Sequence, residues 1–196
     1  MSAIVVVKKA DHVAIAADTC TCFGDTRMLA EYEENLDKII NCRDTFIGIS
    51  GTPAHKLVLE HLLGKSDKYD FSSRESVFET MLRLHMELKD KYFLNPEEEN
   101  SEPYESSQFE ILIANKFGIF GVYSLREVTE YSRFWAMGSG GNFALGALFS
   151  AYPSLNDAEE IAHVGVKAAA EFDTGTATPI RSYVVKLERN RKSRAR

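Results

Sequence analysis

The strongest constraint on this chain is the way its periodicities are grouped. Short β-branched runs come in sets, and helical stripes come in pairs between them. Residues 3–8 and 12–17 are two such runs joined by Lys9-Ala10-Asp11, which reads as a hairpin. Residues 19–27 are polar and carry the turn signal Gly24-Asp25. Residues 38–40 and 45–49 give two more strands around 41–44. The period then changes. Leu57, Val58, Leu59, Leu62 and Leu63 fit one face of a helix over 52–63, with Pro53 in its first turn and Gly64 closing it. A second helix starts at Ser72 or Ser73 and runs to about Tyr92, with His85 on its apolar side as a core histidine. Residues 109–114 and 118–123 form another hairpin, and 128–131 and 134–137 are short strands. Gly138-Ser139-Gly140-Gly141 leads into a small-residue helix over 143–151. Asn156, with Glu159 three positions on, caps a helix to about Phe172, and 180–187 is a last strand. Strands, two helices, strands, two helices, strand is an α+β pattern. Two antiparallel sheets packed face to face, with helix pairs outside, satisfy it.

Composition narrows the classes. The chain has 196 residues, 44% hydrophobic and 27% charged, enough for one sizeable core. It reads as one domain over 1–187, with an acidic insertion at about 95–107 and a basic tail at 188–196. No apolar run approaches the ~18 residues of a membrane span. The first residues lack the charged start of a signal peptide, so a cytoplasmic protein is expected. The net charge of −6 disfavours nucleic acid as a partner. Residues 97–105 hold five Glu and no base, and residues 186–196 hold six bases and one acid. They read as a solvated loop and a tail, and with no aromatic after Tyr183 the tail lacks a stacking platform. Three cysteines, Cys20, Cys22 and Cys42, make neither a disulfide framework nor a zinc-site spacing, and read as reduced thiols. The sequence assigns no metal.

The usual hydrolase signatures are missing: there is no G-x-S-x-G elbow and no H-E-x-x-H. The glycine run at 138–141 lacks the lysine of a P-loop. The start of the chain carries more chemistry. Ser2 follows Met1, and a small residue there normally permits Met removal. Ser2 would then unite a hydroxyl with an α-amine, whose pKa is about 7.7–8.0, so nucleophile and base would share one residue.

An ordered series surrounds this feature. Met1-Ser-Ala-Ile-Val-Val-Val-Lys-Lys is followed by Val-Ala-Ile-Ala-Ala-Asp18, Asn35-Leu-Asp-Lys38-Ile and Ile-Gly-Ile-Ser50-Gly51. Ala-Met-Gly-Ser139-Gly-Gly and Glu171-Phe-Asp-Thr174-Gly175 complete it. From residue 2 to about 187 the series resembles the proteasome β-type family of N-terminal nucleophile hydrolases. It looks closest to the bacterial members, HslV and the HslV-like proteasome homologues. The resemblance implies a four-layer αββα sandwich and peptide-bond hydrolysis without a cofactor. It implies Ser2 as nucleophile, Lys38 beside its hydroxyl, Asp18 paired with that lysine and Gly51 supplying an oxyanion N–H. It places Ser139 near the α-amine, with Glu171 and Thr174 as supporting residues. It also implies peptide or unfolded-protein substrates, a homo-oligomeric ring or stacked rings and, as in some relatives, a ring ATPase partner. Ser2 departs from the family Thr, Ala3 from a second hydroxyl residue and Glu171 from Asp. The alternative is a ring scaffold of the same fold without activity.

Overall fold

The computed structural model describes residues 2–65, 68–96 and 103–188. Residues 97–102 of the acidic insertion and 189–196 of the basic tail lie outside the described residues. The first hairpin pairs β1 (Ile4–Lys9) with β2 (His12–Asp18), Ile4 opposite Ala17 and Lys9 opposite His12. A ribbon of β3 (Thr21–Phe23) and β4 (Thr26–Met28) follows. The sequence predicts only a polar turn region there, because two three-residue strands are too short for their alternation to register. Its turn is the expected Gly24-Asp25, with Gly24 at φ +59°.

After a 3₁₀ turn at Ala30–Tyr32 come β5 (Ile39–Cys42), β6 (Thr45–Ser50), α1 (Pro53–Lys65) and α2 (Arg74–Tyr92). Then β7 (Glu110–Asn115), β8 (Gly118–Val122), β9 (Val128–Tyr131), β10 (Phe134–Met137), α3 (Gly141–Ala151), α4 (Ala158–Phe172) and β11 (Ile180–Lys186) complete the chain. Two expected ends shift. Gly64 does not stop α1, which runs on to Lys65. The cap of α4 is Asp157, whose carboxylate accepts the Glu160 N–H at 2.8 Å, rather than Asn156.

The strands form two antiparallel sheets, β10-β1-β2-β11 and β5-β6-β7-β8-β9. Strand parity explains the layering. In β1 and β2, Val5, Val7, Ala14 and Ala16 face α3 and α4 through a core that includes Leu148, Ile161 and Val166. Their neighbours Ile4, Val6, Val13 and Ile15 point the other way and meet Leu112, Ala114 and Ile119 of the second sheet. The second sheet's outer face, with Ile47, Ile113 and Phe120, packs on Leu59, Val77, Met81 and Leu84 of α1 and α2. Helices, sheet, sheet and helices therefore stack in the expected four layers. The first two strands are apolar on both faces because each face has its own core. Gly48 lets the sheets approach, since a Cβ there would stand 2.5 Å from Ile4 Cγ2. Among the described residues no helix is long and apolar enough to cross a membrane.

His85 is buried, as expected, and ties α2 to the end of the acidic insertion. Its ring nitrogens lie 2.9 Å from Ser107 Oγ and 3.2 Å from Glu105 Oε2. Burial holds the His85 and His55 imidazoles below the ordinary histidine value of 6.5. At His85, Arg126 adds to the fall and Glu105 opposes it. As pH falls through 6.5 the unfolded chain takes up protons first, so the fold loses stability toward the lower folded pKa values. We expect urea midpoints to fall as pH drops from about 7 to 5. His85→Gln, which can still bond Ser107 and Glu105, should show a shallower fall. An unchanged slope in that variant would remove His85 from this account.

Candidate active site

Register brings the candidate residues together. In the β1–β10 pair Ile4 faces Met137, so continuing the ladder outward sets Ser2 against Ser139. In the β1–β2 hairpin the same extension sets Ala3 against Asp18. The side chains follow. The Ser2 N–H donates to Ser139 Oγ at 3.1 Å, and Gly140 N–H donates to the Ser2 carbonyl at 3.0 Å. Gly138 makes this close approach possible: its φ is +91°, and a Cβ there would stand 2.3 Å from the Ser2 carbonyl oxygen.

Asp18 ends β2 with no exposed surface. Its carboxylate accepts the N–H groups of Ala3 and Cys20, each at 2.9 Å, and that of Ala177 at 3.4 Å. It also holds the Lys38 ammonium at 2.9 and 3.0 Å. Lys38, at the entrance to β5, donates in turn to Ser2 Oγ at 3.3 Å. The chain Asp18–Lys38–Ser2 is thus a buried carboxylate, a largely buried ammonium and a hydroxyl in series. A cation in that place favours the alkoxide over the alcohol.

A cleft of about 770 Å³ opens over this group. Ser2, Lys38 and Gly51 line it with Cys20, Cys22, Ile49, Leu57 and Tyr183. Gly51 follows β6, its backbone backed by Phe109 and His55, which a Cβ would meet at 3.0 and 3.3 Å. Cys20 and Cys22 are free thiols with sulfurs 3.8 Å apart. Burial pushes the Cys22 thiol up, and Lys38 draws it back only in part. Among the described residues no group of three or more His, Cys, Asp or Glu is placed to hold a metal ion.

Ser2, Asp18, Lys38 and Ser139 therefore meet, and Gly51 shares their cleft. Glu171 and Thr174 do not join them: both are exposed. Asp173 and Thr176 instead form a hydrogen-bonded chain to Ser139. Ser139 Oγ donates to Asp173 Oδ2 at 2.9 Å, and Thr176 Oγ1 donates to the same oxygen at 2.5 Å. The physical reason is helical phase. The buried face of α4 runs through Ala162, Val166 and Ala169 at spacings of four and three, and one more step reaches Asp173. Glu171 lies off that face. This period was present in the sequence and is the signal that would have found Asp173.

A four-layer sandwich of two antiparallel sheets between helix pairs is the architecture of proteasome-type N-terminal nucleophile hydrolases. The comparisons agree. The family model for the proteasome subunit matches residues 2–185, and the chain belongs to the proteasome family. It is similar to the proteasome subunit beta of Nanoarchaeum equitans (strain Kin4-M), 25% identical over 198 residues, 94% of this chain and 93% of that protein. Among solved structures, Thiobacillus denitrificans BPH is 40% identical with a TM-score of 0.90, covering 96% of this chain and 100% of its own. The same protein in complex with epoxomicin gives a TM-score of 0.88 over 95% and 100% of the two chains, also at 40% identity. HslV from Trypanosoma brucei, at 20% identity and a TM-score of 0.71 over 94% and 99%, shares the fold. Family membership makes this chain a proteasome-like protease.

Proposed function

We propose that this chain cleaves peptide bonds with Ser2 as its nucleophile, once the bond between Met1 and Ser2 has been cut. The observation that carries the reading is the Lys38 contact to Ser2 Oγ at 3.3 Å, with Lys38 itself held on the buried Asp18. Removal of Met1 leaves an α-amine at Ser2 beside Ser139 Oγ, with a pKa of about 7.7–8.0 before any local effect. That amine takes the hydroxyl proton, directly or through a water, as Oγ adds to the substrate carbonyl. The Lys38 charge favours the developing alkoxide. The oxyanion of the tetrahedral intermediate accepts from the Gly51 N–H, a contact worth about 3 kcal/mol in comparable sites. The proton then passes to the leaving amine and the C–N bond breaks, leaving an ester on Ser2. Water adds to the ester and returns the hydroxyl.

Asp173 and Thr176 take the supporting place, fixing Ser139 Oγ beside the amine. The substrates are short or unfolded peptides that enter the cleft extended. The active form is a homo-oligomeric ring whose chamber the sites face. Exposed aromatics on the outer helices support self-association: Phe143, Phe149 and Phe172 are 45, 77 and 68% exposed. Ring contacts of this kind are heterologous and close by rotation.

Intact mass after incubation with a peptide epoxyketone tests the nucleophile. Epoxomicin is a suitable probe, since it is the ligand in one 40%-identical structure. The reagent needs a free α-amine and a neighbouring hydroxyl on one residue. We expect a mass lacking Met1 and carrying one adduct. A mass that retains Met1 and carries no adduct would favour the inactive ring scaffold instead.

A further inference from the structure

We propose that Asp37 and Tyr183 are positioning residues for Lys38, forming a bond between the two sheets that sets where the ammonium stands against Ser2. The inference rests on the catalytic reading of Ser2 and Lys38 given above. Lysine has a long stem with many rotamers, so its ammonium stands in one place only when the stem is held. Asp18 holds its tip, and the question is what holds its base.

Asp37 precedes Lys38 and Ile39 follows it. Asp37 Oδ1 accepts the Ile39 N–H at 2.9 Å, so the carboxylate closes a small ring of backbone around Lys38. The Lys38 carbonyl accepts the Ile49 N–H at 3.3 Å, which pins the other side of the residue to β6. The second carboxylate oxygen of Asp37 is engaged from the opposite sheet. Tyr183 on β11 donates its hydroxyl to Asp37 Oδ2 at 2.5 Å. Its ring stacks on Phe46 of β6 at 4.5 Å and 16°. Asp37, Lys38 and Tyr183 all line the cleft.

The consequence is geometric. Asp18, which holds the Lys38 ammonium, belongs to the same sheet as β11. The base of the Lys38 stem is therefore referred to the same sheet as its tip. Without the Tyr183 bond, movement between the sheets changes the distance from the lysine backbone to Ser2. The bond persists across the working pH range. The hydrogen bond to Asp37, with burial, pushes the Tyr183 hydroxyl up to about 12, so it remains a donor. Tyr183→Phe removes only this hydroxyl and keeps the ring on Phe46. Asp37→Ala removes both the Tyr183 bond and the Ile39 bond.

The test is a double-mutant cycle in the full, assembled protein, read by peptide hydrolysis, epoxyketone labelling and crystal structures. Tyr183→Phe should lower kcat by about 10–100-fold, the effect of misplacing a reacting group by roughly 1 Å. Its KM and melting temperature should change little. The double variant should match Asp37→Ala alone, because both substitutions break one linkage. A loss confined to KM would make Tyr183 a substrate contact and overturn the inference. So would independent losses that multiply, or an unchanged kcat. The Tyr183→Phe structure gives a readout that does not depend on activity: Lys38 Nζ should leave hydrogen-bond range of Ser2 Oγ. If it stays in place the inference fails whatever the rates. A wild-type protein that neither turns over nor takes the label, yet shows the displaced Lys38 in the variant, would instead locate the failure in the catalytic reading.

Discussion

Ser2→Ala is expected to abolish peptide cleavage while leaving the fold standing. The substitution removes one oxygen, which accepts from Lys38 at 3.3 Å. The backbone contacts of the residue persist, because the Gly140 bond and the Ser139 bond use its carbonyl and nitrogen. Loss of a nucleophile that acts as a unit with its neighbours costs on the order of 10⁴–10⁶ in turnover, whichever member is removed. Lys38→Ala should therefore fall into the same range rather than add to it. Ser2→Thr should keep activity, since the added methyl narrows the χ1 choices of the hydroxyl without changing its chemistry. Hydrolysis of a fluorogenic peptide, normalised to assembled protein, reads all three. A Ser2→Ala variant that cleaves at the wild-type rate would sink the assignment of the nucleophile.

How much of this was legible before the structure varies by residue. The sandwich was legible because sets of strands alternate with pairs of helices along the chain, and the structure adds that β1 and β2 have a core on each face. Asp18 and Lys38 were legible through the resemblance, whose motifs Val-Ala-Ile-Ala-Ala-Asp18 and Asn35-Leu-Asp-Lys38-Ile fall at the end of β2 and just before β5. The resemblance points to Glu171 and Thr174, whereas the residues that reach Ser139 are Asp173 and Thr176. The helical stripe of α4 gave the better phase. The β3–β4 ribbon escaped because three-residue strands carry no period. The Tyr183–Asp37 bond was beyond reach for another reason. It joins residues 146 apart through the meeting of two sheets, a distance no local pattern encodes.

Asp18 carries the second large effect, and here stability and activity separate. Its carboxylate is fully buried and accepts from two backbone N–H groups at 2.9 Å as well as from Lys38. Asp18→Ala leaves those donors unmatched and an ammonium, 13% exposed at the side chain, without its counter-charge. Breaking a buried pair from one side costs about 3–5 kcal/mol. Against the 5–15 kcal/mol of a typical domain, that is a large share. At roughly 2–4 °C per kcal/mol for a chain of this size, the melting temperature should fall by about 6–20 °C. Asp18→Asn keeps the shape, but its amide group can offer only one oxygen to several donors. It should lose stability too, and catalysis with it. The double variant Asp18→Ala/Lys38→Met distinguishes the causes. With no orphaned charge it should regain much of the melting temperature lost in Asp18→Ala, yet remain inactive. Recovery of stability would show that the carboxylate holds the fold by neutralising Lys38, the inactivity of the double variant following from the missing lysine. A double variant no more stable than Asp18→Ala would put the cost in the backbone N–H groups instead. The electrostatic account of the pair would then be wrong.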